Sequence, residues 1–278
     1  MTADARYFVP PAQQPPQTAM VSGHSVLTHL YAVIPSAVLA DNVLSMLPEW
    51  NRTRCWILSA PAMGHHASFV QYLMYAEDGG GSDEPEPERG VESFLFVLRG
   101  TARLNLGGTK HELVDGGFAF VPADTDWTMH GAGREGAKFL WLRKAYQPYK
   151  GPLPAPLVGN EREVPVAQNP TTSTKWTTRL IPIDDLAYDF HMNIVSFQPG
   201  AIISNAETHI MEHGLYMLKG KGVYLLNERW HEVQAGDYIW MRAFCPQAFY
   251  AAGPTTTRYL LYKDMNRQIP LTGDGRRT

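Results

Sequence analysis

One segment of this chain occurs twice. Residues 91–127 read VESFLFVLRGTARLNLGGTKHELVDGGFAFVPADTDW, and residues 211–247 read MEHGLYMLKGKGVYLLNERWHEVQAGDYIWMRAFCPQ. The copies align without a gap at an offset of 120, so that Glu92 falls on Glu212, Gly100 on Gly220 and Gly116 on Gly236. A gap-free repeat of this length means one structural unit present twice. In the second copy, bulky residues in short runs alternate with turn residues. Strands are predicted over 214–218, 223–226, 229–233 and 238–241, with a glycine turn over 219–222 and a tight turn at Asn227-Glu228. Short strands with a glycine at each corner predict a closed antiparallel barrel, so the fold class is all-β with two tandem barrels. Composition agrees, since 24 glycines and 21 prolines supply turns and 11 Phe, 7 Trp and 13 Tyr supply strand formers. Helical periodicity is weak, apart from a short helix expected near residues 41–50.

The bulk numbers exclude several classes. The 278 residues suffice for two modest domains, and 18% charged with 44% apolar residues is a globular composition. The net charge of -3 comes from scattered acids and bases with no basic stripe, so nucleic acid is not an expected partner. No apolar run reaches the length of a membrane span, and the proline-rich start MTADARYFVPPAQQPPQ lacks the pattern of a signal peptide. Two cysteines, Cys55 and Cys245, cannot build a disulfide framework. The expectation is a cytoplasmic protein.

The segments divide as follows. Residues 1–50 are expected to be an N-terminal arm (flexible over 1–20) followed by docking strands, and the apolar stretches 26–33 and 55–58 within residues 21–60 are strand candidates. The first barrel is placed over 51–147, a proline-rich linker over 148–178, the second barrel over 179–270 and a flexible tail over 271–278.

The second barrel carries Glu207-Thr208-His209-Ile210-Met211-Glu212-His213. In a strand Glu207 and His209 face the same side, and His213 follows a bend from which it can point inward. Gln247 lies just past the strand over 238–241. A barrel can bring these four into one mouth as a mixed nitrogen and oxygen set, suited to Mn, Fe, Ni or Zn, with its oxygen content favouring Mn over Cu. At the 120 offset the first barrel has Pro87, Arg89, Ser93 and Trp127, none of them a good ligand. One divalent metal per chain is therefore expected, in the second barrel only.

These residues resemble the cupin motifs, in which histidines and a carboxylate ligate a metal. Here Glu207 stands at the first histidine position, His209 at the second, His213 at that of the usual glutamate and Gln247 at that of the last histidine. Arg242 and Phe244 replace the proline and glycine of the second motif. The set Glu-x-His-x-x-x-His with a later Gln, together with NIVSFQPGA, ETHIMEHGLYMLKGKGVYLLNERW, AGDYIWM and YKDMNR, resembles the ureidoglycine aminohydrolases over roughly residues 50–270. The resemblance implies two cupin (double-stranded β-helix, or jelly-roll) barrels. It also implies hydrolysis of (S)-ureidoglycine to (S)-ureidoglycolate and ammonia in purine breakdown, in a homo-oligomer acting on a small anionic ureide, while the donor set makes Mn2+ the expected metal.

It further implies that Lys263, Tyr259 and Tyr224 hold the substrate and that Lys263 and Glu207 act in catalysis. Without it, Lys263 reads as a surface lysine after a strand, although Tyr259, Leu261 and Lys263 share one strand face. Cys245 reads as a small buried residue, and His65-His66 as structural or exposed. The acidic loop over 83–88 is solvated, with prolines and spacing that do not fit a calcium site. The alternatives are a cupin dioxygenase or decarboxylase acting on a small organic acid, and a non-enzymatic metabolite-binding or storage cupin.

Overall fold

The computed structural model describes residues 25–39, 45–63, 67–170, 172–264 and 267. The segments 1–20 and 271–278 and the His65-His66 pair lie outside them. The described chain is built of antiparallel strands. Two short ones, β1 (Val26–Leu27) and β2 (Tyr31–Ile34), precede the first barrel. That barrel consists of β3 (Asn51–Ser59), β4 (Phe69–Ser82), β5 (Val91–Leu106), β6 (Thr109–Leu113), β7 (Gly117–Val121), β8 (Trp127–Ala145) and β9 (Leu157–Asn160). The second consists of β10 (Val166–Gln168), β11 (Lys175–Arg179), β12 (His191–Phe197), β13 (Ile202–Glu207), β14 (His213–Lys219), β15 (Lys221–Leu226), β16 (Arg229–Gln234), β17 (Tyr238–Met241), β18 (Gln247–Ala251) and β19 (Thr257–Lys263).

The sequence repeat is a structural repeat. Ser93 pairs with Val121 and Arg143 in the first barrel, and His213 pairs with Met241 and Lys263 at the corresponding positions of the second. The repeated glycines have a common cause. Gly100 and Gly220 take φ of 85° and 81°, and a Cβ would stand 2.0 Å from the Gly136 carbonyl oxygen in one and 2.6 Å from Thr257 Oγ1 in the other. Only glycine meets both demands.

Side chains alternate between two faces of each large sheet. One face of the second barrel's sheet fills its own interior with Val195, Phe197, Leu215, Met217, Tyr224, Phe249 and Tyr259 among others. The opposite face meets the first barrel in a shared core that includes Trp56, Phe69, Phe94, Phe120, Phe190, Trp240 and Tyr262. Phe69 and Tyr262 stand 4.2 Å apart across it, and Ser59 Oγ and the Tyr238 hydroxyl are 2.8 Å apart. The two barrels are thereby packed back to back.

The strands at the sheet edges differ from the expected linker picture. The segment 148–178 carries β9, which extends the first barrel's sheet beside β7, and β10 and β11, which extend the second barrel's sheet beside β12. Its prolines stand outside these short pieces, which is how a proline-rich segment still contributes edge strands. The strand β2 crosses to the second barrel and pairs with β17. The short helix expected near residues 41–50 is not present in the described part, 45–50, where Ser45 instead forms an isolated bridge with Cys55; residues 41–44 are outside the described set.

Candidate active site

At one end of the second barrel, the register aligns one residue from each of five strands. His191 on β12 stands opposite Lys263 on β19, Lys263 opposite His213 on β14, His213 opposite Met241 on β17, and Met241 opposite Tyr31 on β2. Directly paired residues of an antiparallel sheet present their side chains on the same face. Tyr31 and Met241 belong to the barrel interior, so this row forms one wall of the mouth. The other sheet supplies Gln247, the first residue of β18, opposite both Glu207 at the end of β13 and Leu226 on β15.

Three of the four expected ligands converge. His209 Nε2 lies 3.4 Å from His213 Nε2 and 2.9 Å from Gln247 Nε2. The Gln247 Oε1 accepts a 2.9 Å hydrogen bond from the Tyr224 hydroxyl. His213 Nδ1 lies 3.2 Å from the Tyr262 carbonyl oxygen, which can only accept. That contact puts the ring proton on Nδ1 and leaves the Nε2 lone pair facing His209. Burial, then the positive charge of Lys263 and the His209 ring, push His213 down to about 3. Burial also lowers His209. Both imidazoles are therefore neutral at pH 7, the state in which imidazole binds a metal.

The donor set fits a divalent metal. Two ligand nitrogens on one ion, each with a bond of about 2.1 Å, stand about 3.0–3.4 Å apart, close to the separation of the two rings here. Glu207 is not drawn in with them. It is exposed, and among the described residues no three His, Cys, Asp or Glu side chains converge as a metal group. It does sit at the rim: after burial, its negative charge is a main influence on Lys263 and on the Tyr259 hydroxyl.

Below the rim lie the tyrosines. Tyr224 and Tyr259 are almost wholly buried, their hydroxyls influence each other, and burial raises both. The Phe249 ring packs 5.2 Å from Tyr224 and 5.9 Å from Tyr259. Tyr259 and Lys263 share one face of β19, as their spacing predicts, and Tyr224 belongs to the same barrel interior as Tyr259. Lys263 is part-buried, and burial lowers its ammonium below the ordinary lysine value. Cys245 is buried, and its thiol donates to the Pro246 carbonyl oxygen at 3.7 Å.

Lys175 and Arg179 were not foreseen as neighbours of the site. Both lower the Lys263 ammonium, after burial and against the Glu207 charge, and Lys175 Nζ lies 5.6 Å from the Phe197 ring centre. Their alternate spacing on β11 is the sequence signal, hidden because Lys175 falls in a segment that reads as linker.

The first barrel is filled differently at matching positions. Trp141, opposite Leu95 as Leu261 is opposite Leu215, donates its indole N–H to Ser93 Oγ at 3.0 Å. It packs among Trp50, Tyr72 and Trp127 with ring centres 5.2, 5.2 and 5.8 Å away. Arg143, in the place of Lys263, is bound by Glu86 of the acidic loop.

Comparison with known proteins bears on this geometry. The family described as "Cupin domain" matches residues 72–143 and 193–262, one match in each barrel. The chain is 37% identical over 228 residues to the probable (S)-ureidoglycine aminohydrolase of Oryza sativa subsp. japonica, covering 82% of this chain and 71% of the relative. It is 33% identical over 230 residues to the (S)-ureidoglycine aminohydrolase of Escherichia coli (strain K12), covering 82% and 87%. The chain belongs to the (S)-ureidoglycine aminohydrolase family of cupins. Among solved structures, the putative glyoxylate induced protein from Pseudomonas aeruginosa superposes with a TM-score of 0.89 at 44% identity, covering 97% of this chain and 99% of that one.

Proposed function

We propose that this protein hydrolyses (S)-ureidoglycine to (S)-ureidoglycolate and ammonia in purine catabolism. The observation that carries the reading is the neutral His209–His213 pair beside Lys263 in a chain of this family. The metal ligands are Glu207, His209, His213 and Gln247, with one Mn2+ per chain, favoured by the two oxygen donors of the set. Glu207 at the rim and the Gln247 side-chain oxygen would supply the oxygen donors beside the two imidazoles. When bound, the ion supplies Lewis acidity and a fixed point for orienting a chelating substrate.

The protein's own groups divide the remaining work. The Lys263 ammonium pairs with the substrate carboxylate, and the Tyr224 and Tyr259 hydroxyls donate to substrate oxygens. The buried rings of Phe249 and Tyr259 exclude bulk water, so one reacting water is positioned in place of many. A C–O bond forms from that water to the substrate carbon as the C–N bond to the amine breaks. Glu207 takes a proton from the water, and the departing nitrogen leaves as ammonia with a proton from Lys263 or Glu207.

In this proposal the protein acts in the cytoplasm as a homo-oligomer whose partner is the small anionic ureide, with no nucleic acid or membrane. The test is ammonia release from freshly generated ureidoglycine by metal-loaded and metal-stripped protein, with chiral analysis of the product. Release above the spontaneous rate that needs the metal and gives one enantiomer supports the reading.

A further inference from the structure

We propose that Asn193 is a further substrate-binding residue of this site, its side-chain carbonyl accepting N–H hydrogen bonds from the terminal amide of the ureido group. The inference rests on the function proposed above and goes beyond the residues assigned there.

The placement follows from β12. Met192 and Ile194 face the core shared with the first barrel, while Val195 and Phe197 face the interior of the second. Asn193 has the parity of Val195 and Phe197 and is paired with Leu261, an interior residue. It therefore faces the cavity. The flanking pairs on the same face are His191 with Lys263, one row toward the mouth, and Val195 with Tyr259, one row deeper. Asn193 stands between the rows of the two residues assigned to the substrate. Diagonal neighbours of an antiparallel pair lie about 7–8 Å apart, a gap that a small ligand held by Lys263 and Tyr259 spans.

Its chemistry is what makes the position informative. Asn193 is only 6% exposed, and its Oδ1 has no hydrogen-bond partner. A buried acceptor without a donor is destabilising and rare in folded proteins, and a ligand that supplies the donor removes the penalty. Leucine would fit the row at no such cost, since Leu261 and Leu215 occupy its next two positions. The other cavity groups are biased toward donation: the Lys263 ammonium and the Tyr224 and Tyr259 hydroxyls suit a carboxylate and a carbonyl. The terminal –NH2 of a urea needs an acceptor, and a neutral amide oxygen meets it without adding a charge that would repel the substrate carboxylate.

The experiment measures binding of two isosteric ligands to manganese-loaded protein by calorimetry. Hydantoate carries the ureido –NH2, and N-acetylglycine has a methyl in its place. Native protein is expected to prefer hydantoate by roughly tenfold or more, the effect of one well-placed hydrogen bond in a dry site. In Asn193→Leu and Asn193→Ala the preference is expected to fall to within about twofold, with metal content unchanged. The melting temperature of metal-free Asn193→Leu is expected to be no lower than native, whereas a purely structural role for the amide predicts a drop. A retained preference in both variants overturns the assignment while leaving the function standing. Failure of native protein both to bind hydantoate and to release ammonia from ureidoglycine overturns the function and this inference together.

Discussion

Lys263 is the cross-strand partner of His213 where β19 pairs with β14. An ammonium and an imidazole thus share one face at the barrel mouth. Burial lowers both, and the lysine charge lowers the histidine further. This pairing helps keep the imidazole neutral, and in the function proposed here the ammonium beside it meets the substrate carboxylate. Lys263→Met keeps the stem and removes the charge. Metal content is expected to be normal and the fold intact, with activity down by roughly ten- to a hundredfold or more, from a lost charge-assisted hydrogen bond of about 1.5–3 kcal/mol. Metal occupancy and steady-state kinetics on one preparation check this; full activity returns Lys263 to the role of a surface lysine.

The histidine pair predicts metal stoichiometry. Elemental analysis is expected to find one divalent ion per chain. His209→Ala and His213→Ala are each expected to bring this close to zero while far-ultraviolet circular dichroism stays unchanged, because the cores of both barrels are apolar and independent of the ion. Two tightly held ions per chain would place a second site in the first barrel, where Ser93 and Trp127 occupy the ligand positions.

A third expectation concerns pH. Glu212 lies between the barrels and accepts hydrogen bonds from Ser68 N at 3.0 Å and Trp240 Nε1 at 2.6 Å. Burial nevertheless raises its carboxyl to about 7, from an ordinary 4.5. The folded state then holds a proton that the unfolded state releases. The stability contributed by this group is full below about pH 4.5 and is lost as pH rises through about 7. Glu212→Gln removes that loss. Metal-free Glu212→Gln is expected to match native protein at pH 4 and to exceed it at pH 8 by about 1–3 kcal/mol in denaturant unfolding. The His213 titration runs in the opposite direction but is common to both proteins and cancels. A difference that is largest at pH 4 would contradict the assignment.

The legible part of the fold was the part carried by the repeat. The offset of 120 placed Gly100 on Gly220 and predicted the strands that became β14 to β17, because turns that need a positive φ leave glycine in the sequence. The face shared by Tyr259 and Lys263 was readable from alternation alone. What was hidden depended on pairings between distant segments. Nothing local says that β2 crosses to β17, or that a segment read as linker lends Lys175 to the neighbourhood of Lys263. The expected helix near residues 41–50 gave way, at Ser45, to a bridge with Cys55, an interaction that local propensity does not encode. Spacing groups Glu207 with the histidines, yet it stands exposed at the rim, since alternation fixes a face and not a side-chain conformation.

The first barrel tests how a repeat without ligands is stabilised. Trp141 is fully buried among Trp50, Tyr72 and Trp127. Trp141→Ala opens a large cavity there and is expected to destabilise the protein by about 3–5 kcal/mol in denaturant unfolding. Manganese binding measured at a temperature where the variant remains folded is expected to be unchanged. A loss below about 1 kcal/mol would mean that the aromatic cluster is not what holds this barrel.

The most direct test of the account is ammonia release from freshly generated ureidoglycine, followed with manganese-loaded protein, metal-stripped protein and Lys263→Met side by side. The account predicts release well above the spontaneous rate by the loaded protein only, with a single enantiomer of ureidoglycolate as product, near-spontaneous release by the stripped protein, and strongly reduced release by the variant. Release at the spontaneous rate by fully metal-loaded native protein would contradict it.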